Sequence, residues 1–343
     1  MNRKPDNSEK TDHPHRRTIL KGTVGAGLAI GLGLESLIEG KSEGKSETGV
    51  QNANPTNQNA NPLEKRTVKL KGNIKQSIVY WCFNSGGSKW DAEQMCKVAH
   101  DLGCGSIELI EPQHWETLKK HKLTCAIAPN GMPGAPFKKG FNNTEFHAEV
   151  LAHTKETIDL CATAGFPNVI AFTGYKYKDP DNPKSGEISR EEGMKNCIQG
   201  LKQLMLHAEK KKVTVCIEHL NSRDSSDPMK GHPGYQGDDL DFVAEIIRKV
   251  GSEHMKLLFD IYHVQIMHGD LIRRIEECKD IIGHVHTAGN PGRAELDDNQ
   301  EINYPAVIRK LISIKYKGYL GQEFMPTKDA FAGLKQAVER CDV

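Results

Sequence analysis

The chain has no excess of either charge, with 46 lysines and arginines against 45 aspartates and glutamates in 343 residues. Proteins that hold nucleic acid or an anionic membrane through general electrostatic attraction carry a basic excess. Its absence argues against both partners. A small molecule is the partner that this composition favours.

The sequence also lacks any C-x-x-C pair, although it contains nine cysteines, all of them between residues 82 and 341. A zinc-thiolate site or a dense disulfide framework would show tighter spacing. Several of the cysteines lie inside apolar segments, where a free thiol behaves as a small hydrophobic residue. We therefore expect free thiols in a protein that folds in a reducing compartment.

No hydrophobic run is long enough to span a bilayer, because the weakly apolar stretch 23–34 has only twelve residues. It follows Arg16 and Arg17 and a polar tail, an arrangement that resembles a twin-arginine export signal. Residues 1–34 are thus predicted to engage the twin-arginine export machinery, which places the protein in the periplasm or cell envelope. The alternative is a basic tail with an accidental arginine pair on a cytoplasmic protein.

Residues 35–66 are rich in Gly, Ser, Asn, Gln and Lys, and the unit Gln-Asn-Ala-Asn-Pro occurs at 51–55 and again at 58–62. Such sequence buries too little apolar surface to offset its chain entropy. We predict a disordered linker over 35–66 and one catalytic domain over 67–343.

The domain alternates short β-rich runs with longer amphipathic stretches. Eight runs are predicted as strands: 77–83, 106–111, 123–129, 168–173, 213–220, 256–262, 281–287 and 319–324. Five helices are predicted between them: 91–102, 146–164, 190–211, 240–250 and 304–314. Eight βα repeats in about 277 residues predict a (β/α)8 barrel, whose usual size is about 250 residues.

Four side chains of the types that bind metals lie at the ends of the last four runs: Glu218, Asp260, His286 and Glu323. In a parallel barrel these ends meet at one rim, where the active sites of that fold lie. The alternation of Val213, Val215 and Ile217 with smaller or polar residues lets Glu218 point inward. Any one of the four could be a rim salt bridge or a packing histidine. Together they predict a site for Mn²⁺, Mg²⁺, Co²⁺ or Zn²⁺.

Motifs in the second half of the chain carry a family resemblance: Ile217-Glu218-His219-Leu220-Asn221, Phe259-Asp260-Ile261-Tyr262-His263, Gly283-His284-Val285-His286-Thr287, Asn290-Pro291-Gly292-Arg293, Glu301-Ile302-Asn303-Tyr304 and Gly318-Tyr319-Leu320-Gly321-Gln322-Glu323. Together they resemble the xylose isomerase-like TIM barrels, and within them the hydroxypyruvate isomerase group. That group often has Gln at the position of His286, whereas the sugar epimerases have His. The first half of the chain is merely compatible with the family.

The resemblance implies a metal held by Glu218, Asp260, His286 and Glu323. This metal would coordinate the carbonyl and hydroxyl oxygens of an α-hydroxycarbonyl substrate. Glu218 and Glu323 would transfer the protons of an enediolate mechanism. His263 would donate to a substrate oxygen.

Three more residues are candidate substrate contacts. Arg293 could bind a substrate carboxylate in bidentate fashion, with a structural salt bridge as its alternative. Glu108 is a candidate for a substrate or supporting contact at the end of the second run, and Asp224 is another after the fifth. We expect His232 and His254 to face solvent, together with His13 and His15.

The sequence therefore predicts a metal-dependent isomerase or epimerase, with hydroxypyruvate to 2-hydroxy-3-oxopropanoate as the named reaction. Ketose 3-epimerisation and inosose-type dehydration follow the same chemistry and stay open. So does a non-catalytic sugar- or metal-binding envelope protein. Endonuclease IV would need an Asp-x-His after the seventh run, where this chain has Arg293-Ala294-Glu295. The oligomeric state is left open, a homo-oligomer included.

Overall fold

A parallel sheet surrounded by helices forms the part of the chain that the computed structural model describes, residues 68–85, 87–226 and 229–343. The predicted signal segment 1–34 and linker 35–66 lie outside these residues. The sheet has seven strands in the order β2-β1-β7-β6-β5-β4-β3. They are β1 (Lys75–Val79), β2 (Ser106–Glu108), β3 (Asn168–Ala171), β4 (Thr214–Glu218), β5 (Met255–Asp260), β6 (Ile282–Thr287) and β7 (Tyr319–Gln322).

The third predicted run, 123–129, is an irregular segment rather than a regular strand, so that prediction is corrected. It nevertheless joins the two edges of the sheet. The amide of Leu109 after β2 donates to the carbonyl of Ile127 at 2.9 Å, and the amide of Ala128 donates to the carbonyl of Asn168 in β3 at 2.9 Å. These bonds close the sheet into the TIM barrel.

Side chains take the place of strand pairing in this closing segment. The Ala126 amide donates to Ser106 Oγ at 2.9 Å, and the Ala126 carbonyl accepts from Asn168 Nδ2 at 2.7 Å. Ala126 is fully buried, so both backbone groups need partners inside the protein. Because side chains supply these backbone hydrogen bonds, the run can pair with both neighbouring strands without regular strand geometry.

Ten α-helices cover the described residues: α1 (Tyr80–Asn84), α2 (Ala92–Leu102), α3 (Trp115–Lys120), α4 (His147–Ala164), α5 (Arg190–Lys211), α6 (Leu240–Val250), α7 (Ile261–Met267), α8 (Leu271–Glu277), α9 (Tyr304–Ser313) and α10 (Ala330–Cys341). The five predicted helices are confirmed to within one residue at each end. Capping explains their limits. Asp91 accepts from the Gln94 amide before α2, and Gly103 follows it with φ 71°. None of the described helices is long and apolar enough to cross a membrane.

The buried apolar residues form two clusters, one between the sheet and the helices and one inside the barrel, as the alternation along β4 predicts. Val213, Val215 and Ile217 belong to the large cluster that includes the buried helix residues. Cys216 and Leu258 belong to a smaller cluster inside the barrel. All nine cysteines are buried and free, as expected for small core residues.

Replacing Ser106 with Ala should lower the free energy of unfolding by about 1–3 kcal/mol, because the buried Ala126 amide loses its acceptor. Chemical denaturation with a circular dichroism readout measures this change. The control is Ser313→Ala at an exposed serine, which should change stability by less than about 0.5 kcal/mol. Equal stability of the Ser106 variant and the wild type would contradict the role of Ser106 in barrel closure.

Candidate active site

The four predicted ligands converge inside the barrel. One ligand atom from each of Glu218, Asp260, His286 and Glu323 lies within 4.8 Å of all the others, and all four residues are buried. Strand register brings them together, because Asp260 of β5 lies beside His286 of β6, and His286 lies beside Gly321 of β7. The sequence-based expectation that strand ends meet at one rim agrees with this placement.

An irregularity between β5 and β6 sets this alignment. Leu257 pairs with Ile282 but Leu258 pairs with His284, so Gly283 is an extra residue in β6. One extra residue reverses which face the following side chains point to. It brings His284 and His286 to the same face as Asp260. A Cβ at position 283 would lie 2.6 Å from Cβ of Lys256, so glycine suits this position.

Glu108 at the end of β2 orients the imidazole of His286. Its Oε1 accepts from Nε2 of His286 at 2.8 Å and from Nε2 of His284 at 2.8 Å. Because a carboxylate only accepts, Nε2 of His286 carries a proton, and Nδ1 is the nitrogen left to bind a metal. A Cβ at Gly321 would lie 2.1 Å from Oε1 of Glu108, so only glycine there permits this contact.

Unpartnered polar atoms face the centre of the cluster. Nδ1 of His286 lies 3.1 Å from Oε2 of Glu323 and 3.6 Å from Oε1 of Glu218. Nδ1 of His286, Oε1 of Glu218 and Oδ2 of Asp260 are buried without a hydrogen-bond partner among the described residues. A buried polar atom without a partner is costly. Three carboxylates and one imidazole around one point fit a divalent cation.

The electrostatics of the carboxylates fit the same ligand. Burial and the neighbouring Glu323 raise the pKa of Asp260 to about 8. Burial likewise raises the pKa of Glu218, and Glu323 adds to the effect. A bound cation would favour the charged form of both groups. Oδ1 of Asp260 is already occupied, because it accepts from the amides of Tyr262 and His263 at the start of α7.

Glu323, one of the four predicted ligands, is held by two side chains. Arg293 Nη2 donates to its Oε2 at 2.6 Å, and the indole of Trp81 donates to its Oε1 at 3.2 Å. Burial alone would raise the pKa of Glu323, but Arg293 and His286 bring it well below its usual value. The guanidinium of Arg293 lies 5.2 Å from the ring of Trp81 and 5.9 Å from that of Tyr262.

His263 lies in the first turn of α7 and is fully buried. The backbone amide of Asn221 donates to its Nδ1 at 3.1 Å. Nδ1 is therefore an acceptor, and the proton of the neutral ring is on Nε2. Nε2 has no hydrogen-bond partner among the described residues and lies 3.7 Å from Oδ2 of Asp260. This geometry leaves one N–H beside the cluster.

A cavity of about 500 Å³ opens above the cluster. Of the four ligands, Glu218 and Glu323 line it, whereas Asp260 and His286 lie beneath. Arg293 also lines the cavity. Its charge is already opposed by Glu323, and its Nη1 donates to the Met229 carbonyl, so Nε is the donor that has no partner among the described residues.

Two predicted substrate contacts lie elsewhere. Glu108 is fully buried beneath His286 and does not line the cavity, so its contacts indicate a supporting role. Asp224 lies in the loop after β4, where its Oδ1 accepts from the amide and hydroxyl of Ser226. It belongs neither to the cluster nor to the cavity lining.

Several site residues escaped the sequence analysis. His232, expected to face solvent, is only 3% exposed and lines the cavity, so that expectation is wrong. Trp81 lies outside the motifs that carry the family resemblance, so no signal in the sequence pointed to it. His284 and Asn221 lie within those motifs, and their closeness in sequence to His286 and Glu218 was the one available signal.

Comparison with known proteins identifies the family. The model of the family described as xylose isomerase-like TIM barrel matches residues 96–341. A 2-oxo-tetronate isomerase of Cupriavidus necator is 37% identical over 122 residues, 36% of this chain and 44% of that protein. A hydroxypyruvate isomerase of Escherichia coli is 32% identical over 126 residues, 37% of this chain and 46% of that protein. The matched region thus spans less than half of these relatives.

Solved structures share the fold. An AP endonuclease, family 2, from Brucella melitensis has a TM-score of 0.64 at 22% identity, covering 76% of this chain and 97% of that one. A 3-keto-D-glucoside 4-epimerase from E. coli has a TM-score of 0.60 at 17% identity, covering 78% and 97%. At these identities the likeness concerns the fold alone.

Replacing Glu108 with Gln should weaken divalent metal binding about 10- to 100-fold, because a neutral amide oxygen accepts more weakly from the two imidazole N–H groups than the charged carboxylate does. Competition against a chromophoric chelator measures the affinity. Glu116→Gln, at a side chain that is 86% exposed, is the matched control and should bind metal like the wild type. An unchanged affinity in a folded Glu108 variant would show that the contact does not orient His286.

Proposed function

Because the chain belongs to the xylose isomerase-like TIM barrel family, we propose that it is a metal-dependent isomerase or epimerase of a small hydroxycarbonyl compound. One observation carries this proposal. Two carboxylates of the four-residue cluster, Glu218 and Glu323, line the cavity, while Asp260 and His286 lie beneath them. A pair of carboxylates facing one substrate suits the transfer of a proton between neighbouring carbons, because one can act as the base and the other as the acid.

Glu218, Asp260, His286 and Glu323 would hold the metal. When bound, a divalent ion such as Mn²⁺, Mg²⁺, Co²⁺ or Zn²⁺ supplies Lewis-acid polarisation of the substrate oxygens and stabilises the charge of an enediolate. Orientation of His286 by Glu108 keeps Nδ1 directed at the centre of the cluster. The buried surroundings strengthen each of these electrostatic interactions.

The glutamates would move the proton. One would remove it from the carbon that carries the hydroxyl group, and the other would deliver a proton to the neighbouring carbon. The hydroxyl proton would pass to the former carbonyl oxygen, so that the hydroxyl and carbonyl groups exchange places. Arg293 and Trp81 each donate to one carboxylate oxygen of Glu323, which would fix its orientation during the reaction. The N–H of His263 would donate to a substrate oxygen, and Arg293 Nε is the group that could reach a substrate carboxylate.

The reaction that we name for the first test is hydroxypyruvate to 2-hydroxy-3-oxopropanoate, because relatives such as the E. coli protein carry the hydroxypyruvate isomerase name. An endonuclease IV-like role has less support. Glu295, at the position where that enzyme would need a metal-binding histidine, instead accepts from the amides of Thr327 and Lys328. A sugar- or metal-binding protein without catalysis would retain the cluster, and kinetics separate that alternative.

Replacing either Glu218 or Glu323 with Gln should reduce isomer formation by at least about 10²-fold, because each variant loses one proton-transfer group. NMR of the product follows the reaction, and circular dichroism follows the fold. Glu245→Gln, at a half-exposed side chain on α6, serves as the control and should keep wild-type turnover. Full activity in a metal-loaded Glu218 or Glu323 variant would refute the acid and base roles.

We also propose that residues 1–34 direct export by the twin-arginine route to the periplasm or cell envelope. Support comes from the nine buried free cysteines, because that route carries folded proteins whose thiols are already enclosed. Replacing both Arg16 and Arg17 with Lys should retain the protein in the cytoplasm of a bacterial host. Cell fractionation tests this, and export of the double variant at the wild-type level would contradict it.

A further inference from the structure

The cavity above the cluster has two unlike sides. Its ionic side carries Glu218, Glu323 and Arg293. The other side is mostly apolar and is formed by residues after β2, by the closing segment with the loop that follows it, and by the end of β3 with the residue directly after it. Its lining residues include Leu109, Pro129, Met132, Phe137, Ile170 and Phe172.

The apolar side, which we call the Phe137 wall, is backed by the interior of the barrel. Ile170 and Phe172 belong to the smaller apolar cluster, and Phe137 packs against that cluster while staying partly exposed. The ring centroids of Phe137 and Phe172 lie 6.3 Å apart in an edge-to-face arrangement. A wall packed in this way offers a fixed apolar face to a ligand.

His232 provides a polar group at the edge of the wall. Its ring lies 4.3 Å from that of Phe137, and its Nδ1 is buried without a hydrogen-bond partner among the described residues. Burial and the nearby Arg293 lower the pKa of His232 to about 3, so the ring is neutral at ordinary pH. A neutral imidazole suits a hydroxyl group rather than an anion.

The charges of the lining disfavour an anionic group at this end. Among the described lining residues the charged ones are Glu111, Glu218, Glu323 and Arg293. The single cation among them, Arg293, contacts Glu323 and lies at the ionic side. A phosphate or a second carboxylate at the Phe137 wall would meet no cation among these residues, and the exposed Glu111 would add a weak repulsion.

The volume of the cavity also favours a ligand larger than hydroxypyruvate. Hydroxypyruvate has about seven non-hydrogen atoms, and at roughly 30 Å³ each, the volume of a water molecule, it would fill less than half of the cavity. Pockets that fit their ligands bury most of the ligand surface. A three-carbon acid bound at the cluster would therefore leave more than half of the cavity unfilled.

From these observations we infer that the substrate is a neutral ketose of hexose size or larger, whose carbon face packs on the Phe137 wall while a hydroxyl group binds His232. The inference rests on the proposed function, because the reacting carbons lie at Glu218 and Glu323. Hydroxypyruvate shares only the reacting end of such a compound.

Binding to the metal-loaded full-length protein tests the inference without requiring turnover. The ligands are a neutral ketohexose, its 6-phosphate and hydroxypyruvate, each titrated by NMR. Phe137→Ala should weaken ketohexose binding roughly tenfold, the size expected for losing an aromatic contact, and leave hydroxypyruvate binding within about twofold. Phe137→Leu, which keeps apolar bulk, should act in the same direction with a smaller effect. The 6-phosphate should bind more weakly than the parent ketohexose.

Phe331→Ala is the matched control, because Phe331 is a partly buried phenylalanine on α10 outside this cavity, and it should change none of the affinities. The inference is overturned if wild-type protein does not bind the ketohexose, if the Phe137 variants weaken both ligands equally or neither, or if the phosphate ester binds more tightly. A loss of catalysis without these binding results would count against the proposed function alone.

Discussion

Three buried carboxylates within a few ångströms of each other are the feature on which the rest of this structure depends. Asp260, Glu218 and Glu323 repel one another in a medium that screens charge poorly. Arg293 and His286 offset part of that repulsion, and the pKa of Asp260, raised to about 8 by burial and by Glu323, shows that the balance is incomplete. A divalent cation would complete it, which is why we propose a metal here rather than treat the cluster as a set of structural salt bridges.

The surrounding backbone positions the side chains of this cluster. Gly283 shifts the register of β6 so that His286 lies beside Asp260, and Gly321 leaves the space through which Glu108 reaches His286. Trp81, in the short helix after β1, reaches Glu323 at the end of β7 because these two strands are neighbours in the sheet. Glycines at such positions maintain the geometry of ligands that are far apart in sequence.

Much of this arrangement follows from the sequence. The ligands could be predicted because each ends an apolar run, and a parallel barrel brings all such ends to one rim. The irregular run 123–129 and the helical position of His263 could not, because both depend on particular contacts. The side chains of Ser106 and Asn168 hydrogen-bond the backbone of the run 123–129. Asp260 caps the helix that carries His263. The cavity position of His232 depends on a long loop whose path no periodic pattern indicates.

Solvent proton exchange is the measurement that tests the metal-dependent chemistry most directly. The metal-loaded protein is incubated in D₂O with hydroxypyruvate, ketohexoses and inososes, and each carbon-bound proton is followed by NMR. We predict exchange at the carbon beside the carbonyl of at least one compound, abolished by a chelator and restored by added metal. Exchange that is insensitive to the chelator, or none with any of the compounds despite bound metal, would contradict the proposed mechanism.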